Sequence, residues 1–337
     1  MKSFMYKIVP GLTISILVAI TSQFLATFFP AIGSAVISIL LGIVVGNTIF
    51  THPSFQGGTR FSEKYLLEFA IVLNGLTLSL QMMQGIGFSG VLFILLHMSL
   101  TIVAAYSIGR FLDFSKVFTL LMGAGNAVCG TAAIGTVAPV LDADSKEKGM
   151  SITTVNVMGT FLMMGLPLLA TLLYQQAVIP TSALIGGVVQ SVGQVVASAK
   201  LVNDSVVNLA TVFKLLRVVM IAAVALLFGK LNLNEGEPLF KSASQEDSNV
   251  QVKFRIPWFI IGFLLLFVVR SLDVLPASLI ETTSSIRSQL EITALAAIGM
   301  RVRLAEFIKE GPKVIAYGAI VSIFQVLLAV LLIQLFF

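Results

Sequence analysis

Apolar runs of about 20 residues, each long enough to carry a helix across a hydrocarbon core, recur along this chain with short polar or glycine- and proline-containing turns between them. Hydropathy places spans near residues 8–28, 31–50, 64–83, 88–109, 116–140, 148–173, 181–200, 205–229, 256–273, 286–304 and 314–336. The pattern predicts an all-α polytopic membrane protein of about 10 or 11 transmembrane helices. It is weakest at 181–200, where GGVVQSVGQVVASAK is short, polar and rich in small residues, so a broken or partly inserted helix is expected there. One segment reads as soluble. Residues 230–255, KLNLNEGEPLFKSASQEDSNVQVKFR, form a cytoplasmic connector inside a single transmembrane domain, 1–337.

Composition agrees: 57% of residues are hydrophobic, 11% are charged and the mean hydropathy is +1.00, against about 25% charged in soluble domains. The net charge of +5 sits in short loops rather than in a patch, which excludes nucleic acid as a partner. With the N-terminus in the cytoplasm, fourteen of the 21 basic residues, Lys2 and Lys7 among them, fall in inside loops and five fall outside. The remaining two, Lys214 and Arg217, lie inside the eighth span. This orientation satisfies the positive-inside rule. The run from Ile8 to about Phe29 is too long for a signal-peptide core and is read as a retained first span.

A single cysteine permits no internal disulfide, and His52 and His97 are too far apart for a metal cluster. No cofactor is expected, with a proton or sodium ion left open as a coupling ion. His97 is read as satisfying a neighbour, and Cys129 as a packing residue rather than a nucleophile.

The stretch GAGNAVCGTAAIGTVAP at 123–139 is anomalous for a bilayer helix. Irregular backbone at membrane depth is tolerated only inside protein or against a water-filled cavity, so a helix running to about Ala124, unwinding through GNAVCG and restarting near Thr131 is expected. The amide of Asn126 or the hydroxyl of Thr131 would cap the exposed N–H groups, and Gly125, Asn126, Cys129, Gly130 and Thr131 would form a cradle for an anion at a positive dipole end. Close helix packing by small residues is the competing explanation.

In TVFKLLRVVMI, Lys214 and Arg217 stand one turn apart in the middle of an apolar run. Each costs about 2.5 to 3.5 kcal/mol at a helix centre, so an anionic partner is expected: a substrate, or the carboxylate of Glu68 or Glu291. Snorkelling side chains are the alternative. Gln190 and Gln194, spaced i and i+4, together with Ser191, Asn74 and Asn156, could orient a polar solute or act as interhelical hydrogen-bond glue.

Residues 75–87, GLTLSLQMMQGIG, also align without gaps to 299–311, GMRVRLAEFIKEG, with Gly75 on Gly299 and Gly87 on Gly311. The two blocks run in opposite directions across the predicted topology, as expected of inverted repeats.

The order GNAVCGTAAIGTVAPVLDAD, then Gly159, Thr160 and Pro167, then GQVVASAK and FKLLRVVMI, resembles the YeiH-like family of proposed sulfate exporters over nearly the whole chain. The resemblance implies a multi-pass transporter of the bacterial inner membrane, related in fold to bile-acid symporters and cation–proton antiporters, with core and panel domains. Two positions depart from the pattern it implies: Gln190-Ser191 stands where a His-Glu pair is expected, and Glu68 where a basic residue is expected. A titratable coupling pair is thereby missing.

The expected function is secondary-active, elevator-like transport of a small anion, of sulfate or sulfite type or a small organosulfonate or carboxylate. The partners would be that solute, the bilayer and a second copy in a homodimer. An enzyme would need paired carboxylates, an HExxH helix or a nucleophile with its base, and none is present. A channel would need a pore-lining ring of like charges.

Overall fold

The computed structural model describes residues 2–28, 33–48, 52–76, 80–239, 258–272, 275–302 and 311–337. Its regular elements are all helical: α1 (Lys2–Phe28), α2 (Gly33–Thr48), α3 (Gln56–Phe61), a π turn (Ser62–Leu66), α4 (Leu67–Asn74), α5 (Leu80–Phe111), α6 (Lys116–Ala127), α7 (Thr131–Val137), α8 (Ser145–Tyr174), α9 (Val178–Val188), α10 (Val192–Lys200), α11 (Asp204–Val219), α12 (Ile221–Phe228), α13 (Trp258–Ser271), α14 (Ala277–Arg301) and α15 (Pro312–Phe336). Among the described residues, five helices are long and apolar enough to cross a membrane: Ile8–Phe28, Gly87–Phe111, Ser145–Tyr174, Asp204–Phe228 and Pro312–Phe336. Shorter apolar helices lie at Ile37–Thr48, Val178–Val188 and Trp258–Ser271. The protein is an all-α polytopic membrane protein.

The bounds of two expected spans need correction. The span at 64–83 is interrupted, because α4 ends at Asn74 and the chain turns at Gly75 and Leu76. Beyond residues 77–79, which lie outside the described residues, α5 begins at Leu80 and runs through the span placed at 88–109, with a bend at Gly87 (φ 51°, ψ −159°). The span at 286–304 starts nine residues earlier than expected, at Ala277. The span at 181–200 is broken, as anticipated, into α9 and α10. The connector falls partly on residues 240–257, and the block at 299–311 partly on 303–310, both outside the described residues.

The chain divides into two compact units that interleave along the sequence. The first holds residues 1–85, 193–211 and 257–305. Here α14 packs against α1, α2 and α4, with Ile14, Val18, Ala296 and Met300 forming a buried cluster. The α2–α14 crossing is close because both helices present glycine: a Cβ on Gly42 would lie 2.4 Å from Ala296 O, and one on Gly299 would lie 2.3 Å from Ile39 O. Small residues at such crossings let backbones approach where no hydrophobic force drives association in lipid.

The second unit holds residues 86–192, 212–256 and 306–337. In it α6 packs against α7 and α8, and α9 against α8 and α15. Phe93 is fully buried between Phe213 and Phe337, with centroids 5.9 and 6.0 Å away. Tyr317, also buried, donates to Ala105 O at 2.6 Å. Ser115 caps α6 by accepting from Phe118 N, and Asp144 caps α8 by accepting from Glu147 N.

Candidate functional site

The helix break at the anomalous stretch is real, and shorter than expected. Helix α6 continues through Gly123, Ala124, Gly125 and Asn126 to Ala127, and only Val128, Cys129 and Gly130 leave helical geometry before α7 starts at Thr131. The expected unwinding from Ala124 is thus corrected by three residues, because Asn126 Nδ2 donates to Met122 O at 2.9 Å and reinforces the last turn instead of opening it. Gly130 takes φ 65° and ψ −124°, a conformation available in practice only to glycine. It is also the N-cap of α7, with no side-chain cap. Neither Asn126 nor Thr131 caps that helix as expected. The Thr131 hydroxyl donates instead to Asn156 Oδ1 at 3.1 Å.

A second break lies in the same unit, where α9 ends at Val188 and Val189 turns to extended geometry (ψ 140°). Both interrupted helices therefore end in carbonyls with no intrahelical partner, the usual condition of the last turn. Lys214 and Arg217, fully buried on α11, supply the donors. Lys214 Nζ donates to Val128 O at 2.6 Å and Val189 O at 3.0 Å. Arg217 donates through Nε to Ala127 O at 2.8 Å, through Nη2 to Asn126 O at 2.5 Å, and through Nη1 to Gly186 O at 3.2 Å, Gly187 O at 2.6 Å and Val189 O at 3.0 Å. Each of the two cations thus ties the ends of the two half-helices together.

This revises the expected partners of Lys214 and Arg217. Their hydrogen bonds go to the chain's own carbonyls, and they do not snorkel. Glu68 and Glu291, the carboxylates considered for them, are occupied within the first unit: Glu68 accepts from Trp258 Nε1 at 2.7 Å, and Glu291 pairs with Arg287 at 3.1 Å.

A polar seam accompanies the break. Gln190 Nε2 donates to Asn126 Oδ1 at 3.1 Å, Gln325 Nε2 to Asn126 O at 3.0 Å, and the His97 ring nitrogen Nε2 meets Gln325 O at 3.1 Å. His97 does satisfy a neighbour, and it stacks on Phe93. The amide oxygens of Gln190 and Gln325 are buried without a hydrogen-bond partner. They are acceptors suited to a solute that brings its own N–H or O–H. Cys129 is a buried free thiol.

The structure thus brings Gly125, Asn126, Cys129, Gly130, Thr131, Asn156, Gln190, Lys214 and Arg217 into one unit, and Ser191 follows Gln190 there, half-buried. Thr131 is exposed and Asn156 half-buried, whereas the two cations are not exposed at all. Gln194, Asn74 and Glu68 belong to the first unit. Two residues escaped the sequence reading, one in each unit. Gln325 is one, a lone glutamine in the apolar last helix whose meaning depends on a partner about two hundred residues away. Arg287, in the first unit, is the other: it stands at the edge of the span placed at 286–304, because the polar first half of α14 hides the start of that helix.

Comparison with known proteins places these features in a family. The family described as Conserved hypothetical protein 698 matches residues 10–318. A UPF0324 membrane protein of Clostridium perfringens is 46% identical over 330 residues, covering 98% of this chain and 96% of the relative. The UPF0324 membrane protein YdhF of Lactococcus lactis is 43% identical, over 98% of this chain and 99% of its own. The UPF0324 inner membrane protein YeiH of Escherichia coli K12 is 30% identical, over 92% and 88%. No solved structure matches the chain. With a family match across most of its length and full-length relatives among bacterial membrane proteins, the chain belongs to the YeiH-like UPF0324 family of membrane proteins.

Proposed function

We propose that the protein is a secondary-active transporter of a small anion, of sulfate or sulfite type or a small organosulfonate or carboxylate, and not an enzyme. The reading rests on a charge balance in the second unit. Lys214 and Arg217 carry two formal positive charges and are fully buried. Their partners are carbonyls at two helix C-termini, each equivalent to about half a negative charge, so about one positive charge is left over. No Asp or Glu lies in α6, α7, α9, α12 or α15, nor in the parts of α5 and α11 that belong to this unit, and the one acid of α8, Glu147, is in its first turn. A site with surplus positive charge in a low-dielectric surrounding favours an anion.

Thr131 and Asn156 supply the accessible polar edge from which a solute would approach, and alternating access would carry it across. An anion channel is the second reading, favoured by the same charge surplus.

The test is counterflow in proteoliposomes preloaded with sulfate, sulfite, ethanesulfonate or acetate. The transporter reading expects saturable uptake of the labelled anion that is stimulated by unlabelled anion on the far side. Flux that neither saturates nor responds to the far side would favour the channel, and no anion flux at all would reject both readings.

A further inference from the structure

The first unit holds an ion cluster that the site above does not use. Glu291, 2% exposed on α14, is the only buried carboxylate among the described residues. Arg287, one turn earlier and 3% exposed, reaches it through Nη1 at 3.1 Å, and the same Nη1 donates to Asn74 Oδ1 at 3.1 Å. Lys200, the last residue of α10, stands 3.6 Å from Glu291 Oε2 and pairs with Asp204 at the start of α11. Arg287 also lies 3.8 Å from Asp204, whose side chain is 61% exposed. The cluster runs from an exposed carboxylate at one end to a buried one at the other. It adjoins the place where α4 stops at Asn74.

A buried ion pair kept only for architecture needs nearly all of its donors and acceptors satisfied, since desolvation otherwise outweighs the attraction. This one is incomplete: Arg287 Nε and Glu291 Oε2 have no hydrogen-bond partner. Two cations therefore converge on one buried carboxylate that only partly occupies them, with Asp204 as their exposed partner.

We propose that Arg287 and Lys200 form an anion-binding pair whose resident ligand is the chain's own Glu291, and that protonation of Glu291 frees the pair for a small solute anion. This goes beyond the transporter reading by adding an anion site in the first unit, and it rests on that reading. A proton from water adds to a Glu291 carboxylate oxygen, the Arg287–Glu291 ion pair is lost, and the solute anion takes the place of the carboxylate. For a monovalent anion one proton and one negative charge enter together, so the buried charge is unchanged; a divalent anion such as sulfate brings one further negative charge, which Arg287 and Lys200 would have to offset. On release the solute leaves, the proton returns to water and Glu291 pairs with Arg287 again.

The groups around Glu291 fit this exchange. Its own helix presents Arg287, α10 presents Lys200, α11 presents Asp204 and α4 presents Asn74. Helix α2 and the span Ile8–Phe28 of α1, which pack on α14, carry no ionisable side chain. Of the segments before α4, Arg60 on α3 and Lys64 on the π turn are exposed, and Glu63 pairs with Arg301 at the far end of α14. Glu68 on α4 is held by Trp258. Among the described residues, no further charge competes with Arg287 and Lys200 for the carboxylate.

The experiment compares wild type with Glu291→Gln in proteoliposomes, using labelled sulfate, sulfite, ethanesulfonate and acetate with the membrane potential clamped. Pyranine reports the internal pH. One proton per anion predicts that wild type accumulates the anion about tenfold per pH unit of imposed gradient, with matching internal acidification. Glu291→Gln should exchange the anion at a rate indifferent to pH and accumulate none. Equal gradient-driven accumulation in the variant, or wild-type flux that ignores the gradient, overturns the proton-exchange proposal while leaving anion transport intact. Absence of any anion flux in wild type removes the transporter reading and this proposal with it. Should Glu291→Gln fail to fold, the pyranine stoichiometry in wild type decides: one proton per anion supports the proposal and none overturns it.

Discussion

Arg217 Nη2 donates to the backbone carbonyl of Asn126 at 2.5 Å, ninety-one positions earlier in the chain. That contact and its four companions explain how two helices can stop inside a membrane protein without leaving their last carbonyls bare. The sequence marks the break through glycines, and the guanidinium on a separate helix makes the break stable.

Replacing Arg217 with Gln should destabilise the protein heavily. A glutamine amide has two donors, whereas Arg217 serves five carbonyls: Asn126, Ala127, Gly186, Gly187 and Val189. Orphaned buried acceptors cost about 1–3 kcal/mol each, so a loss of about 3 kcal/mol or more is expected in the thermal unfolding of detergent-purified protein. Lys214→Met should cost less, since Val189 O keeps its bond from Arg217 and only Val128 O loses its donor among the two that Lys214 serves. Equal losses for the two variants would contradict the capping role.

Gly130→Ala tests the break itself. The residue holds φ 65° and ψ −124°, and an added Cβ would meet Gln190 Cβ at 3.4 Å. Contact is tolerable but the backbone conformation is not, so a cost of about 1–3 kcal/mol is expected from strain. Unchanged unfolding temperature would show that the chain can pass the break in another conformation.

Outside the spans, the loop after α12 is pinned by charge. Lys116 Nζ donates to Asn232 O, Asn234 O and Glu237 O, while Glu235 accepts from Lys116 N at 2.8 Å and pairs with Arg110 at 2.7 Å. Desolvation pushes the Glu235 carboxyl up, but the Lys116 N–H and the Arg110 guanidinium together hold it below its ordinary 4.5. A depressed carboxyl stabilises the fold above its unfolded pKa, and that contribution disappears as pH falls through the folded value. Hydrogen-exchange protection of residues 232–239 should therefore drop below about pH 4.5 in wild type. In Glu235→Gln it should be lower at neutral pH and should lack this acid step.

The glycine match between Gly75 and Gly299 shows what sequence can and cannot reveal here. A Cβ on Gly75 would lie 2.4 Å from Phe263 O, and one on Gly299 would lie 2.3 Å from Ile39 O. Both positions are close helix crossings, which by itself accounts for glycine at each, whether or not a repeat relates them. Gly299→Leu should accordingly weaken the α2–α14 crossing by about 1–3 kcal/mol or more, read as a lower unfolding temperature. A neutral outcome would mean that the two helices separate at no cost.

The break at Val128–Gly130, the split of 181–200 and the buried pair Lys214 and Arg217 were legible because each violates the pattern of a lipid-facing helix. The partners of that pair were not, since a cation in an apolar run reveals a need for negative charge without saying whether a solute, a carboxylate or a helix end meets it. The interruption at Asn74–Gly75 stayed hidden within an apolar run whose hydropathy does not change when the helix stops. Arg287 and Glu291 both fall in the span placed at 286–304, yet Glu291 was read only as a partner for Lys214 and Arg217, although its i, i+4 spacing from Arg287 was available.

The most direct test of the account is whether the surplus positive charge beside the break binds an anion. Thermal unfolding of the purified protein would be followed as sodium gluconate is replaced by sodium sulfate, sulfite, ethanesulfonate or acetate at constant ionic strength. Ligand binding to the folded state stabilises it by RT ln(1 + [L]/Kd), about 2.7 kcal/mol at a hundredfold excess over Kd. The account predicts a saturating rise in unfolding temperature for at least one of these small anions. A rise that is linear and alike for every anion, or no rise at all, would contradict it.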